Sequence, residues 1–355
     1  MVYRVVQWST GNVGRVALRA VIESPHLELV GVHAHSADKI GKDAADLCGL
    51  STLTGVVATD DVDALIALKP DCISYNTLVP SVDDLCRFLE AGINVSGTAG
   101  YITGAHLGPG ARERLEKACQ FGGSSLFGSG LNPGMSNALA LVASGICDRI
   151  YSVSVTESVD VTDYASKETW EALGWAQPPG VPGQEIATVE RTSELREAME
   201  MTAAGLGIEI DDVKFDVEYA VTREEIKLPY MTYPAGTVAG QRSTYHGMKN
   251  GRSVVRQHIC YRVRGDLEPA FPIVHGYLIE IEGEPSVKVM LTLPKPEVPG
   301  VNRERTAMAS GMVATAMPAV NAIRSVCQAK PGIRFSYELP PVTAFGHEYT
   351  PNTQS

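Results

Sequence analysis

A glycine turn near the start of the chain could bind phosphate. Residues 9–14 read Ser-Thr-Gly-Asn-Val-Gly, between a strand-like run that ends at Trp8 and a helical pattern. Gly11 would let the backbone approach a pyrophosphate, Gly14 would allow helix to pack closely on strand, and the N–H groups at the helix start would bind phosphate. Ser9 replaces the first glycine of the usual G-x-G-x-x-G pattern, so an ordinary tight turn stays an alternative. We expect a dinucleotide to contact Ser9, Thr10, Gly11, Asn12, Val13 and Gly14.

The residues after the second strand-like run indicate which dinucleotide binds. NAD sites usually place an Asp or Glu about 20 residues after the glycines, to bind the ribose hydroxyls. Here the strand tip carries His35 and Ser36, and Lys39 follows. A hydroxyl and a cation can bind a 2′-phosphate that a carboxylate would repel. The pattern favours NADP, held by His35, Ser36 and Lys39. Lys39 could also be an ordinary surface lysine, and Asp38 keeps NAD possible.

Two further strand ends and one turn carry small and polar residues that could surround a nicotinamide ring. The strand-like runs end at Tyr75 and Gly97, and an Asn-Pro-Gly turn occupies residues 132–134. Ligands of open α/β sheets bind beyond the carboxyl ends of the strands. Asn-Pro-Gly is also a common turn, so the agreement in position matters more than this motif. We expect nicotinamide contacts from Asn76, Thr77, Gly97, Thr98, Ala99, Asn132 and Pro133.

Strand and helix patterns alternate through the first half of the chain, which predicts a parallel sheet. The expected strands are Tyr3–Trp8, Leu27–Val32, Leu53–Ala58, Cys72–Tyr75, Asn94–Gly97 and Ser124–Phe127. After Asp148 the rhythm changes to strands with few helices, which is typical of a mostly antiparallel sheet. These strands are expected at Ile150–Val155, Val213–Val221, Val254–Val263, Tyr277–Ile281 and Ser286–Leu293.

The predicted fold class is therefore α/β: a Rossmann-type doubly wound parallel sheet plus a second α+β domain with a mostly antiparallel open sheet. We expect a dinucleotide-binding domain at 1–148 and a substrate and dimerisation domain at 149–301. A long helix at 302–330 should return to the first domain, and an extended tail should follow at 331–355.

Composition argues against several classes of partner. Of the 355 residues, 41 are acidic and 30 are basic, and the net charge of −11 makes nucleic acid an unlikely partner. No apolar run approaches the roughly 18 residues that span a bilayer, so we expect no membrane contact. The seven cysteines are scattered and odd in number. This favours reduced thiols in a cytoplasmic protein, with no metal site.

Four segments carry a family resemblance: residues 9–14, 35–43, 94–98 and 130–134. On these, and on His275-Gly276-Tyr277, the chain resembles the dihydrodipicolinate reductase-related oxidoreductases, in the branch of 2,4-diaminopentanoate dehydrogenase and the native amine dehydrogenases. The resemblance implies a Rossmann domain, a second domain with an open sheet, NADP or NAD as cofactor, and a homodimer. It also implies reductive amination of a carbonyl compound and the reverse oxidative deamination.

The chain departs from this family at one position. The amine dehydrogenases carry an amine-binding glutamate shortly after the position that resembles Thr98, whereas this chain has Gly100 and Tyr101 there. Another side chain must then transfer the proton. The candidates are Tyr101, Asp160, Tyr164 and His275, with Glu157 as a further carboxylate. Each also has a structural interpretation: a buried tyrosine, an Asp turn or a packed histidine.

The sequence thus predicts an NADP-dependent oxidoreductase acting on a C=O or C=N bond of a small carbonyl or amine substrate, most directly an amine dehydrogenase. An ammonia-independent carbonyl reductase and a non-catalytic NADP-binding paralogue are the alternatives. Substrate specificity is expected from a set of aromatic and apolar side chains: Tyr164, Trp170, Trp175, Met231, Tyr233 and Tyr245.

Overall fold

The computed structural model describes residues 1–98, 101–294 and 307–344, and strands and helices alternate through its first part. The strands there are β1 (Tyr3–Trp8), β2 (Leu27–His33), β3 (Ala58–Thr59), β4 (Cys72–Tyr75), β5 (Asn94–Gly97) and β6 (Ser125–Gly128). The helices are α1 (Asn12–Glu23), α2 (Ala44–Cys48), α3 (Val62–Ala67), α4 (Val82–Glu90) and α5 (Ala111–Gly122). A short 3-10 turn spans Ala105–Leu107.

Capping side chains fix where several of these helices begin. Asp43 accepts a hydrogen bond from the amide of Ala45 at the start of α2, and Asp61 accepts one from Ala64 in α3. Ser81 does the same for Asp84 at the start of α4. Each such cap is worth about 1 kcal/mol, because it satisfies an amide that has no partner inside the helix.

A second group of elements follows from residue 135. Its helices are α6 (Met135–Ser144), α7 (Lys167–Ala172), α8 (Gln184–Arg191) and α9 (Ser193–Gly205). Its strands are β7 (Arg149–Asp160), β8 (Asp212–Thr222), β9 (Ile226–Lys227), β10 (Thr232–Tyr233), β11 (Val238–Lys249), β12 (Arg252–Arg262), β13 (Leu267–Glu268), β14 (Gly276–Glu284) and β15 (Val287–Leu291). Seven of these strands form one sheet, in the order β13-β8-β11-β12-β7-β14-β15. β12 and β7 pair in parallel and the other neighbours are antiparallel, which confirms a mostly antiparallel sheet.

The chain then returns to the first group through α10 (Ala307–Cys327) and β16 (Gly332–Arg334). β16 pairs with β6 and completes a seven-stranded parallel sheet in the order β16-β6-β5-β4-β1-β2-β3. The hydroxyl of Ser96 in β5 donates to the carbonyl of Ala319 in α10 at 2.6 Å. The predicted Rossmann-type sheet is confirmed.

Helices cover both faces of the parallel sheet. Val6 and neighbouring side chains pack with α4 and α5 in one core cluster, whereas Val5 packs with α1 and α10 in another. Successive strand residues point to opposite faces, so both faces of β1 must be apolar. Each fully buried aliphatic side chain contributes about 1.5–3 kcal/mol.

The chain divides into two compact units. The first unit contains residues 1–134 and the described residues from 312 onward, and the second contains residues 135–311. The change in sequence pattern indicates a boundary at residue 148. The contacts divide the chain earlier, after residue 134, because α6 packs within the second unit. Asn137 of α6 donates to Thr202 at 3.0 Å and to Gln257 at 2.9 Å there. The predicted helix start at 302 and the predicted tail beyond 344 lie outside the described residues.

Two further features differ from the sequence predictions. The third strand was expected at Leu53–Ala58 and lies at Ala58–Thr59. β11 was not predicted at all, although it pairs along its length with β8 and β12. Its buried face carries Gln241 and Ser243, so the apolar alternation that marks a strand is absent. Among the described residues, no helix combines the length and apolar character needed to cross a membrane.

Candidate functional site

The glycine turn connects β1 to α1. Ser9 adopts a φ of 73°, in the left-handed region, at the place where the first glycine of the usual pattern would stand. A Cβ on Gly14 would lie 2.4 Å from the carbonyl oxygen of Ser9, so a larger residue would force helix and strand apart. Gly11 caps α1 without a side-chain hydrogen bond. The exposed helix start therefore presents backbone N–H groups that suit a phosphate.

A buried glutamine supports this turn from below. Gln7 is fully buried in β1, and its Nε2 donates to the carbonyl of Ser9 at 2.9 Å and to Oδ1 of Asn76 at 2.8 Å. The amide thereby ties the glycine turn to the end of β4. Sequence reasoning missed Gln7, although an amide between the apolar residues Val6 and Trp8 was the available signal.

Two predicted contacts carry buried polar atoms. The Nδ2 of Asn76 and the Oγ1 of Thr77 have no hydrogen-bond partner within the described part of the chain. A buried polar group without a partner costs about 1–3 kcal/mol, so such atoms usually serve a ligand or water. Together with the close approach at Gly14, they fit a dinucleotide that crosses the carboxyl ends of β1 and β4.

Lys39 returns from the end of β2 to the glycine turn. Its amide donates to the carbonyl of Ser36 at 2.9 Å, and its Nζ donates to the carbonyl of Thr10 at 3.0 Å. Ser36 and His35 are exposed beside it, as is Asp38. The structure therefore brings the predicted 2′-phosphate ligands to the same edge of the sheet as the predicted pyrophosphate ligands.

Two ionisable groups of the first unit, Asp43 and His33, have pKa values that their surroundings lower. The carboxylate of Asp43 accepts the amides of Thr54, Ala45 and Gly55, and these hydrogen bonds, led by that of Thr54, lower its pKa. The ring of His33 stacks on Trp8 at 3.7 Å, and burial lowers the pKa of His33 to about 4. His33 is therefore neutral at neutral pH.

The remaining cofactor candidates follow β5 and β6. The amide of Thr98 donates to the carbonyl of Tyr75 at 3.0 Å, and a Cβ on Gly97 would lie 3.0 Å from the same oxygen. The carbonyl of Pro133, which follows Asn132, accepts from the amide of Gly130 at 3.0 Å. Because β1, β4, β5 and β6 are adjacent and parallel, these residues share the carboxyl edge of the sheet. Ala99, also predicted as a contact, lies outside the described residues.

Tyr101 lies inside the core of the first unit. Its side chain is 3% exposed, and its hydroxyl donates to the carbonyl of Thr103 at 3.5 Å. It belongs to the same apolar cluster as Leu115. Its role as a proton donor stays a prediction, and its burial counts against that role.

The other three catalytic candidates lie in the second unit. Asp160 is exposed at the end of β7, where its carboxylate accepts the amide of Thr162 at 2.9 Å, as in an Asp turn. Tyr164 is 40% exposed and places its ring at 5.6 Å from Trp170. His275 is exposed just before β14, with a φ of 57°. Among the residues that the structure describes, no contact joins these three side chains, and their roles also stay predictions.

Glu157 is a buried carboxylate of the second unit. It is 8% exposed, and its two carboxylate oxygens accept the hydroxyl of Tyr261 at 2.6 Å and the hydroxyl of Tyr277 at 2.8 Å. Burial and then the charge of Glu157 raise the pKa of both tyrosines, which therefore stay protonated. Sequence reasoning treated Glu157 only as an alternative. Glu157 lies two residues after the buried Val155 and four after the buried Val153, so all three share one face of β7. This alternation was the missed signal.

The predicted specificity residues fall into two places. One apolar cluster of the second unit contains Trp170, Trp175, Met231 and Tyr233. Tyr245 packs in another cluster of that unit, with α9. The aromatic set thus belongs mainly to one core, and Tyr164 extends it toward solvent.

Comparison with known proteins identifies relatives along the whole chain. Residues 137–354 match the family described as 2,4-diaminopentanoate dehydrogenase C-terminal domain. An amine dehydrogenase of Streptomyces virginiae is 30% identical over 361 residues, covering 96% of this chain and 97% of that protein. A 4-hydroxy-tetrahydrodipicolinate reductase of Neisseria meningitidis is 34% identical over 95 residues, covering 26% of this chain and 35% of the reductase.

A solved structure shares the fold. The amine dehydrogenase from Mycobacterium smegmatis superposes with a TM-score of 0.74 at 20% identity, covering 96% of this chain and 97% of that one. The similarity to the Streptomyces virginiae protein and the match to the C-terminal domain both confirm the resemblance seen in the sequence. The chain therefore belongs to the family of the 2,4-diaminopentanoate dehydrogenases and amine dehydrogenases, which are oxidoreductases.

Proposed function

We propose that this protein is an NADP-dependent amine dehydrogenase. It joins ammonia to a small ketone or aldehyde and reduces the resulting C=N bond, and it oxidises the primary amine in the reverse direction. The observation that carries this proposal is the 30% identity to an amine dehydrogenase over 96% of the chain. The glycine turn, with its close approach at Gly14, supports a dinucleotide cofactor.

Residues of the first unit would hold the cofactor. The amides of Gly11, Asn12, Val13 and Gly14 would bind the pyrophosphate at the helix start. Ser36 and Lys39, with His35, would bind the 2′-phosphate, since a cation and a hydroxyl suit a dianion. When bound, the nicotinamide supplies or accepts the hydride of the reaction. Asn76, Thr77, Gly97, Thr98, Ala99, Asn132 and Pro133 would hold and orient its ring.

The reaction also needs a group that handles protons at the nitrogen or oxygen. Glu157 is the candidate that the contacts support best, because two tyrosine hydroxyls hold its carboxylate in one position. Asp160 and Tyr164 are the exposed alternatives in the same unit.

The consumption of NADPH with a panel of ketones and aldehydes tests this function. We expect oxidation of NADPH that requires ammonium, and formation of NADPH when primary amines replace the ketones. Equal oxidation without ammonium would instead indicate a carbonyl reductase. Tight binding of NADPH without turnover on any substrate would indicate a non-catalytic paralogue.

The variant Lys39→Ala tests the cofactor preference. We expect the Kd for NADPH to rise roughly 10-fold or more, because a charge-assisted hydrogen bond to phosphate is lost. The Kd for NADH should change much less, since NADH has no 2′-phosphate. The measurement is a fluorescence titration with each coenzyme, with the exposed neighbour Lys42→Ala as control. An equal loss for both coenzymes would contradict NADP preference.

We further propose that the enzyme works as a homodimer, as the family resemblance implies, and that it works in the cytoplasm, where its scattered cysteines would stay reduced. Light scattering during size-exclusion chromatography should give about twice the chain mass of 38.0 kDa. A monomeric mass would refute the dimer without affecting the proposed reaction.

A further inference from the structure

Two cysteines of the first unit lie beside each other although they are far apart in the chain. Cys72 begins β4 and Cys327 ends α10, and both pack in the apolar cluster that contains Val5 and Ile323. The thiol of Cys327 donates to the carbonyl of Asp71, the residue bonded to Cys72, at 3.7 Å. Because a carbonyl oxygen lies about 2.8 Å from the next Cα, the Sγ of Cys327 is at most about 6.5 Å from the Cα of Cys72.

The two thiols also interact with each other. Burial raises the pKa of the Cys72 thiol well above its ordinary value, and a hydrogen bond with the thiol of Cys327 adds to this rise. Both cysteines are free in the structure. Rotation about the two Cα–Cβ bonds can bring neighbouring sulfurs to the roughly 2 Å of a disulfide bond. The pair therefore has the placement that a reversible disulfide needs.

The two thiols differ in their access to solvent. Cys72 is fully buried, whereas Cys327 is half-buried and precedes the exposed Gln328. A small oxidant therefore meets Cys327 before it meets Cys72. A cysteine that is oxidised to a sulfenic acid condenses with a neighbouring thiol to a disulfide, and Cys72 supplies that thiol.

We propose that Cys72 and Cys327 form a redox-sensitive pair, which hydrogen peroxide converts to a disulfide and which small thiols convert back. The sulfur of Cys327 attacks one oxygen of the peroxide, the O–O bond breaks, and a sulfenic acid and one water form. The sulfur of Cys72 then attacks the sulfur of Cys327, the S–O bond breaks, and a second water leaves with the thiol proton. The two thiols lose two electrons and two protons, and the peroxide is reduced to two waters. In a reducing compartment both thiols stay reduced between such events.

The disulfide would join the two segments of the chain that make up the first unit. Cys72 belongs to the segment 1–134 and Cys327 to the segment from 312 onward, with the second unit inserted between them. A cross-link that closes so long a loop removes much of the freedom of the unfolded chain. We expect oxidation to raise the melting temperature by about 4 °C or more, and dithiothreitol to reverse the rise.

Mass spectrometry of tryptic peptides, after treatment of the full chain with hydrogen peroxide, tests the pair. In the wild type, fragmentation should locate a bond between Cys72 and Cys327 that dithiothreitol removes. This bond should be absent from Cys72→Ala and Cys327→Ser and persist in Cys48→Ser. Cys48 is the matched control, because it is also half-buried at the end of a helix and its thiol donates to a carbonyl at 3.6 Å.

A second measurement traps the intermediate and does not need the bond to form. Dimedone, which reacts with sulfenic acids, should label Cys327 more strongly in Cys72→Ala than in the wild type, because the thiol that removes the sulfenic acid is gone. Equal labelling of the two proteins would overturn the pair. Oxidation of Cys327 in the wild type without a bond to Cys72 would also overturn it. Both measurements are independent of the proposed dehydrogenase function.

Discussion

The two candidate sites of this protein are built in opposite ways. In the first unit, consecutive residues 9–14 form a turn and the first residues of α1, and their backbone groups would contact the ligand. In the second unit, Glu157 meets Tyr261 and Tyr277, which lie more than 100 residues further along the chain, and the side chains would do the binding. A site made of backbone groups depends on the absence of side chains that would block the ligand. A site made of side chains from several strands depends on the register in which those strands pair.

The difference teaches what each site can tolerate. The glycine turn should tolerate changes of side-chain chemistry but not of size. The site around Glu157 should tolerate neither, because a one-residue slip in β7 would turn Glu157 to the other face. Substitutions in the two units can therefore test this contrast.

The largest expected effect comes from Gly14→Ala. The added Cβ would lie 2.4 Å from the carbonyl of Ser9, and overpacking of this kind costs about 1–3 kcal/mol or more. We expect the melting temperature without cofactor to fall by about 5 °C or more. Gly11→Ala is the control, because its Cβ meets only the hydroxyl of Ser9 at 3.9 Å. If the two variants have the same melting temperature, close packing is not what requires glycine at position 14.

A smaller effect should follow from Gln7→Leu, which removes a buried amide that supports the backbone site. The carbonyl of Ser9 and the amide oxygen of Asn76 would each lose a donor, at about 1–3 kcal/mol in total. Urea unfolding should show this loss, whereas the exposed control Gln120→Leu should stay within about 0.5 kcal/mol. An equal change in both would mean that the turn needs no support from a side chain.

At neutral pH the smallest effect on stability is expected from one histidine in each unit, the buried His33 and the half-buried His258. Burial lowers the pKa of His33 and of His258 to about 4. Both rings would gain a proton on unfolding below about pH 6.5, so stability should hold above that pH and fall as the pH drops toward 4. Within that window, each histidine lowers the free energy of unfolding by at most about 1.4 kcal/mol for each unit that the pH falls.

The variant His258→Asn checks this dependence. Its amide can still pair with the hydroxyl of Thr244, which now contacts Nδ1 of His258 at 2.6 Å. We expect a shallower fall in the free energy of unfolding between pH 6.5 and 4 than in the wild type. An unchanged slope would show that His258 does not contribute, and the exposed variant His275→Asn is the control.

The sequence allowed much of the first unit to be predicted because its signals are local. Buried parallel strands such as Cys72–Tyr75 are short apolar runs, and a turn with two glycines marks the entry to α1. The role of Lys39 could also be predicted, since a tight turn after β2 is enough to bring Lys39 back toward the glycine turn. Gln7 was not, because its partner Asn76 is 69 residues away.

The second unit was harder to predict because its strands are long and their polar residues are buried. β11 buries the polar side chains of Gln241 and Ser243, so alternation of apolar residues could not mark it. The contact of Glu157 with Tyr261 depends on the parallel pairing of β7 with β12, a register that no local pattern encodes. The place of α6 in this unit likewise rests on distant partners, Thr202 and Gln257.

The return of the chain through β16 has a consequence for synthesis on the ribosome. β6 ends at Gly128, and its neighbour β16 begins at Gly332, so this edge of the sheet has no partner until the whole second unit has emerged. At bacterial-type translation speeds of about 5–20 residues per second, the nascent first unit waits roughly 10–40 s. Its unfinished edge is then a template for unwanted pairing, and the inserted second unit can fold before the unit that precedes it.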